Sequence, residues 1–196
     1  MSAEQRACAT PLQKPSASGR PDIRLVGKVD ESMLKDFLQQ RDNVAPDRQV
    51  VIELSSSGGE ADIGRRIAYD LKQWVDSGRD IVVVGKTFVY SAGVSIMSGV
   101  PASQRYLTSD CELLIHERKI KKELHLEGAL RGCRSEILDA LAEIDSGQRL
   151  EREGFAQLIA GSTLSLDDLM AKVLERDWYV PAAEAVRLGL VAAIVD

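Results

Sequence analysis

The stretch GKTFVYSAGVSIMSG, residues 85–99, begins where the apolar run IVVVG ends, and it sets Ser91, Ser95 and Ser98 among small and apolar residues. Its reading decides the fold. An apolar run that passes through small residues into a helix is the repeating unit of a parallel sheet covered on both faces. The stretch also poses a chemical question. One serine is a nucleophile, or all three are small residues packing a tight helix.

Working outward, the pattern of strand then helix recurs. IRLVG (23–27) reads as a strand, and DESMLKDFLQQRD (30–42) as a helix capped by Asp30 or Ser32, with Met33, Leu34, Phe37 and Leu38 on one face. QVVIEL (49–54) is a second strand. The turn SSSGG (55–59) leads from it into a long helix near ADIGRRIAYDLKQWVDSG, and DIVVVG (80–85) is a third strand. ELLIHE (112–117) is a fourth. Residues 124–160 read as a long helical region that projects from the body. SLDDLMAKVLE (165–175) is a helix capped by Ser165, with Asp167 and Asp168 in its dipole-favoured first turn. PAAEAVRLG (181–189), with Pro181 in the first turn, and the strand LVAAIVD (190–196) close the chain. Residues 1–22, rich in Pro, Ser, Gln and Ala, are expected to be a mobile tail.

Composition narrows the function. The chain has 196 residues, 44% hydrophobic and 28% charged, with a formal net charge of −5. One domain with a sizeable core, residues 23–196, fits that length. The negative balance offers no basic field for nucleic acid. No run approaches the ~20 apolar residues of a bilayer span, and the N-terminus lacks a signal-peptide core, so a cytoplasmic protein is expected. Cys8, Cys111 and Cys133 show neither metal-ligand spacing nor an even, disulfide-forming number, so they are read as buried or incidental thiols; no metal and no cofactor is expected.

A reactive serine needs a base, a group that orients the base, and backbone donors for the oxyanion. The histidines are His116 and His125. His116 ends the apolar run LLIHE, at the strand edge where open α/β folds place their sites. A hydrogen-bonded strand-end residue is an equally good reading of it. His125, in KKELHLEG, is a solvated side chain. Ser91 lies at the junction with the helix, where N–H groups are unpaired. Ser95 and Ser98 lie deeper, where a serine tends to back-bond to its own helix. Gly58 and Gly59 end a neighbouring strand and allow a second backbone to approach.

From IRLVGKVDESM (23–33) to the C-terminus, the chain resembles the Clp protease proteolytic subunit (ClpP) family, serine peptidases of the ClpP/crotonase superfamily. VVIELSSSGGEADIGRRIAYDLKQW (50–74) is similar to the family's segment around I-N-S-P-G-G. YSAGVSIMSG is similar to its nucleophile segment, and RYLTSDCELLIHE to the segment ending in I-H-Q. ERDWYVPAAEAVRLGLVAAIVD (175–196) is similar to the family's C-terminal segment, which opens on E-R-D. The resemblance implies an α/β spiral of β-β-α units with a projecting handle, here about residues 117–160. It implies Ser91 as nucleophile, His116 as base, Asp177 as the acid orienting it, and the N–H groups of Gly58 and Ala92 as the oxyanion hole. The spacing from Ser91 to His116 is the family's own. Arg176 stands where the family pairs an Arg with an Asp between rings. The implied partners are a peptide or unfolded polypeptide substrate and further copies of the chain, in heptameric and stacked rings. An ATP-driven AAA+ unfoldase is a further implied partner that no specific motif supports.

The chain departs from the family at definite places. Ser57 replaces the proline before Gly-Gly. Glu117 and Arg118 replace Gln-Pro, and the charged ERKIKKELHLEG (117–128) replaces a glycine-rich strand. Extra residues fall near GSTLSLDDLMAKV (161–173), and the segment between Gly85 and Ser91 is longer by two. These departures motivate an alternative, a catalytically weak or inactive ClpP-like scaffold subunit. An acyl-thioester enzyme of the crotonase type is disfavoured, since it needs no serine and histidine at this spacing.

Overall fold

A computed structural model describes residues 19–46 and 48–196; residues 1–18 of the expected tail, Cys8 among them, lie outside the described residues. The chain runs through strand β1 (Ile23–Val29), helix α1 (Glu31–Arg41), β2 (Val50–Gly59), α2 (Ala61–Asp76), β3 (Ile81–Tyr90) and α3 (Ala92–Met97). It continues through β4 (Arg105–Leu107), β5 (Glu112–Ile115), α4 (Leu130–Ile159), α5 (Leu166–Val173), β6 (Trp178–Pro181), α6 (Ala182–Leu188) and β7 (Ala193–Ile194). β1, β2, β3, β4 and β7 lie side by side, every pair parallel.

Local chemistry explains the helix ends. Asp30, the first of the two expected caps, accepts the Met33 N–H at 3.1 Å. Ser165 and Asp168 form a reciprocal capping box on α5. Hydrogen bonds from Ser165 also hold the Asp168 carboxyl below the usual carboxylate range. α2 buries Gly64, Ile67, Ala68 and Leu71, a helical stripe facing the sheet. The run IVVV of β3 is buried on both faces: Ile81 and Val83 join the main core with Ile23, Ile52 and Leu71, while Val82 and Val84 pack with Tyr106 and Val195. Each such buried side chain contributes roughly 1.5–3 kcal/mol.

β3 is the organising strand. Its first half, Val83–Gly85, pairs with β4, and its second half, Phe88–Tyr90, pairs with β5, which in turn pairs antiparallel with β6. Between the halves the register against β2 jumps from Leu54↔Gly85 to Ser56↔Val89. The two extra residues expected before Ser91 are absorbed here as a bulge. Thr87 sits in it at φ 59°, with its hydroxyl donating to Asp110 at 3.1 Å.

Several boundaries differ from expectation. β2 and β3 run on through SSSGG and KTFVY, because the chain stays paired beyond the bulge. β4 and β6 are strands the apolar pattern did not reveal. The long helix starts at Leu130 rather than 124: Gly128, at φ 107°, turns the backbone out of helical conformation first. Pro181 is both the last residue of β6 and the cap of α6. The last strand shrinks to Ala193–Ile194. Among the described residues no helix is long and apolar enough to cross a membrane.

Candidate active site

Ser91 stands between the end of β3 and the start of α3, at φ 55° and ψ −118°. A non-glycine residue with positive φ is strained, and it persists only where its surroundings hold it. Here its N–H donates to the Leu114 carbonyl at 2.8 Å, tying the elbow to β5. Gly58 presses on it from β2: a Cβ added at Gly58 would lie 2.7 Å from Ser91 Cβ. Gly64 lets α2 approach as closely, since a Cβ there would meet the Ala92 carbonyl at 2.7 Å. Ala92, the first residue of α3, carries an N–H with no partner within the helix. Ser98 closes α3 and back-bonds to the Ser95 carbonyl at 2.7 Å, as expected of a packing serine.

His116 directly follows β5. Ser91 and His116 line one cavity of about 330 Å³, together with Ala92, Ser95, Arg118 and Glu151. His116 Nδ1 lies 2.5 Å from the Glu117 carbonyl. A carbonyl only accepts, so Nδ1 carries a proton; in the neutral imidazole Nε2 then keeps its lone pair, which is the tautomer a general base requires. His125 is exposed.

The remaining groups are engaged elsewhere. Asp177 is not a wall of the cavity; its Oδ1 pairs with Lys119 Nζ at 3.3 Å. The Gly58 N–H donates to Ser56 Oγ at 3.1 Å. Among the described residues no hydrogen bond joins Ser91 to His116 or His116 to Asp177. Arg176 turns back to the end of α5, donating to the Lys172 and Ala171 carbonyls. Cys111 is buried, which pushes its thiol up to about 12 and makes it inert, and Cys133 is free.

Sequence reasoning missed the groups that hold the segment after His116. Glu151, from α4, is only 9% exposed and accepts the Arg118 N–H through Oε2. The Arg118 side chain reaches Asp62 on α2 at 3.0 Å, while its Nη1 is buried without a partner. Glu117 accepts the N–H of Glu175, a residue at φ 57°, at 2.9 Å. The one available signal was the unusual charge of ERK where the family has Gln-Pro.

The structure thus sets an elbow serine and a strand-end histidine on one cavity of a largely parallel α/β sheet. The family model for Clp protease matches residues 18–196, and the chain belongs to that family. It is 28% identical to ATP-dependent Clp protease proteolytic subunit 2 of Pseudomonas aeruginosa, across 88% of this chain and 80% of that one. It is 27% identical to ATP-dependent Clp protease proteolytic subunit 2 of Gluconobacter oxydans, across 88% and 73%. The structure of a ClpP1 point mutant from Listeria monocytogenes superposes with a TM-score of 0.68 at 17% identity, across 89% of this chain and 90% of that one. The fold is therefore the α/β fold of ClpP, and at the level of its family the protein is a ClpP-like peptidase.

Proposed function

We propose that the protein is a serine endopeptidase acting on peptides or unfolded polypeptide, with Ser91 as nucleophile, His116 as general base and Asp177 as the orienting acid. The observation that carries this reading is the strained Ser91 elbow sharing a cavity with a histidine whose Nε2 is free to accept a proton. Ser91 Oγ attacks the peptide carbonyl while His116 Nε2 takes its proton. The N–H groups of Gly58 and Ala92 stabilise the oxyanion. His116 then protonates the departing amine, and water, deprotonated by the same nitrogen, releases the acyl group. Two local changes complete the site: Gly58 N–H leaves Ser56 Oγ, and Asp177 leaves Lys119.

The reading takes residues 23–196 as one domain and residues 117–160 as its handle. The α4 face bearing Ile137, Leu138, Leu141 and Ile144 is exposed and apolar. That favours homo-oligomers, heptameric and stacked in the family's manner, enclosing the sites in a cytoplasmic chamber. The Lys119–Asp177 pair favours a second reading, a scaffold subunit with a dormant site.

The test is hydrolysis of a short fluorogenic peptide and of unfolded casein, with fluorophosphonate labelling, by the protein and by Ser91→Ala. Cleavage and labelling lost together in Ser91→Ala uphold the peptidase reading. Absence of both from the unaltered protein moves the assignment to the scaffold.

A further inference from the structure

The cavity beside Ser91 holds a carboxylate with no cationic partner. Its walls include the apolar side chains Ile115, Leu150, Phe155 and Leu158, and Glu151 of α4 lines it together with the neighbouring cavity. Glu151 gives one oxygen to the Arg118 amide. Burial holds its carboxyl above the usual range; the bond from the Arg118 amide and the nearby Arg118 and His116 side chains oppose that rise, and Glu117 adds to it. The cations lining the same cavity each reach another acid, although Arg118 Nη1 is buried without a partner. Arg65 and Arg118 pair with Asp62 at 3.6 and 3.0 Å, and Lys119 pairs with Asp177. Among the described residues Glu151 forms no ion pair.

A buried carboxylate without a counter-charge is costly, and a cation delivered to it makes a strong, charge-assisted hydrogen bond. Lysine and arginine side chains suit the rest of the space, because their methylene stems pack on apolar walls while the head reaches the acid. A cavity of about 330 Å³ lies within the range of built ligand pockets.

We propose that Glu151 makes this cavity a pocket for a basic side chain, so that the enzyme cleaves after lysine or arginine. The inference rests on the peptidase reading and names the substrate class of that same site. Glu151 acts on specificity, and bond making and breaking remain with Ser91 and His116.

The test compares kcat/KM on matched fluorogenic peptides carrying Arg, Lys, Leu or Glu before the scissile bond. The protein, Glu151→Gln and Glu151→Leu are assayed side by side. Glutamine keeps an acceptor for the Arg118 amide and removes the charge, so it reports even where the leucine variant misfolds. The expected result is a preference for Arg and Lys, with their kcat/KM falling at least about 30-fold in either variant while the Leu peptide is held or improved. Preference for Leu in the unaltered protein, or a basic preference indifferent to both variants, overturns the proposal. Benzamidine binding to Ser91→Ala, measured by calorimetry, separates this failure from loss of the peptidase reading. Binding that disappears in Ser91→Ala/Glu151→Gln upholds the pocket even with no peptide cleaved. Absence of binding to Ser91→Ala overturns it.

Discussion

Gly58 and Ser91 occupy one another's space. A Cβ at residue 58 would stand 2.7 Å from Ser91 Cβ and 3.2 Å from its Oγ, with the Tyr90 carbonyl at 3.0 Å. Gly58 also lies at φ 93°, where an L side chain is strained. Gly58→Ala must therefore displace either β2 or the elbow. A shift of about 1 Å at a nucleophile costs on the order of 100-fold in rate, and the strain about 1–3 kcal/mol in stability. Kinetics and urea denaturation of Gly58→Ala should show both losses. Gly132→Ala, in open space on α4, should show neither and gain about 0.5–1 kcal/mol.

Lys119 and Asp177 give the second prediction. Their side chains are 71% and 40% exposed, so the pair is a surface ion pair worth at most about 1 kcal/mol. Lys119→Met should release Asp177 toward His116 and raise kcat/KM by up to about fivefold, with little change in stability. Asp177→Asn should cost on the order of 100-fold or more, in the direction of the loss seen when a triad acid is neutralised. Should both substitutions leave the rate unchanged, the Glu117 carbonyl alone orients His116, and Asp177 has no part in the chemistry.

These two relationships differ in how far the sequence foretold them. The positions of Ser91 at a strand-to-helix junction and of His116 at a strand end were legible in the pattern, whereas the roles expected of them came only with the family resemblance. The two-residue excess before Ser91 was legible as length, and the bulge at Thr87 is its physical form. The strand extensions through SSSGG and KTFVY were not, since polar residues and glycine hide pairing that tertiary neighbours impose. β4 was hidden by Arg105, which reads as a surface residue and is in fact buried. Lys119–Asp177 and Glu117–Glu175 join segments 58 positions apart, a distance no local periodicity spans.

Arg105 is the third test. It is 1% exposed, and its guanidinium donates to the carbonyls of Val100, Leu158 and Leu190 at 2.8, 2.6 and 3.2 Å, and more loosely to those of Ser98 and Gln157. Burial pulls its pKa down to about 10, so it stays charged at neutral pH. One side chain thus fastens the end of α3, the end of α4 and the approach to β7. Arg105→Met leaves those carbonyls buried without donors and should cost about 2–4 kcal/mol in chemical denaturation. Arg105→Lys, with a compact head that cannot fork to all three segments, should recover only part of the loss. Full recovery by lysine would mean that charge, rather than the fork, secures the helix ends.

Glu151 ties stability to pH, and its sign follows from burial. Desolvation raises its folded-state pKa above that of the unfolded chain, about 4.3, with the Arg118 amide opposing. The folded protein therefore holds this proton more tightly than the unfolded chain does. The resulting stabilisation is fully present below the unfolded value and is lost as pH rises through the folded one. Glu151→Gln removes the titration and keeps an acceptor for Arg118. The protein should thus gain stability relative to Glu151→Gln as pH is lowered from neutral toward the unfolded value, read as the difference between their melting temperatures. A difference that stays constant would mean that folding leaves the carboxyl's affinity for its proton unchanged; one that moves the other way would mean that the carboxylate is stabilised as an anion in the folded state, and that it already has the cation the cavity is proposed to await.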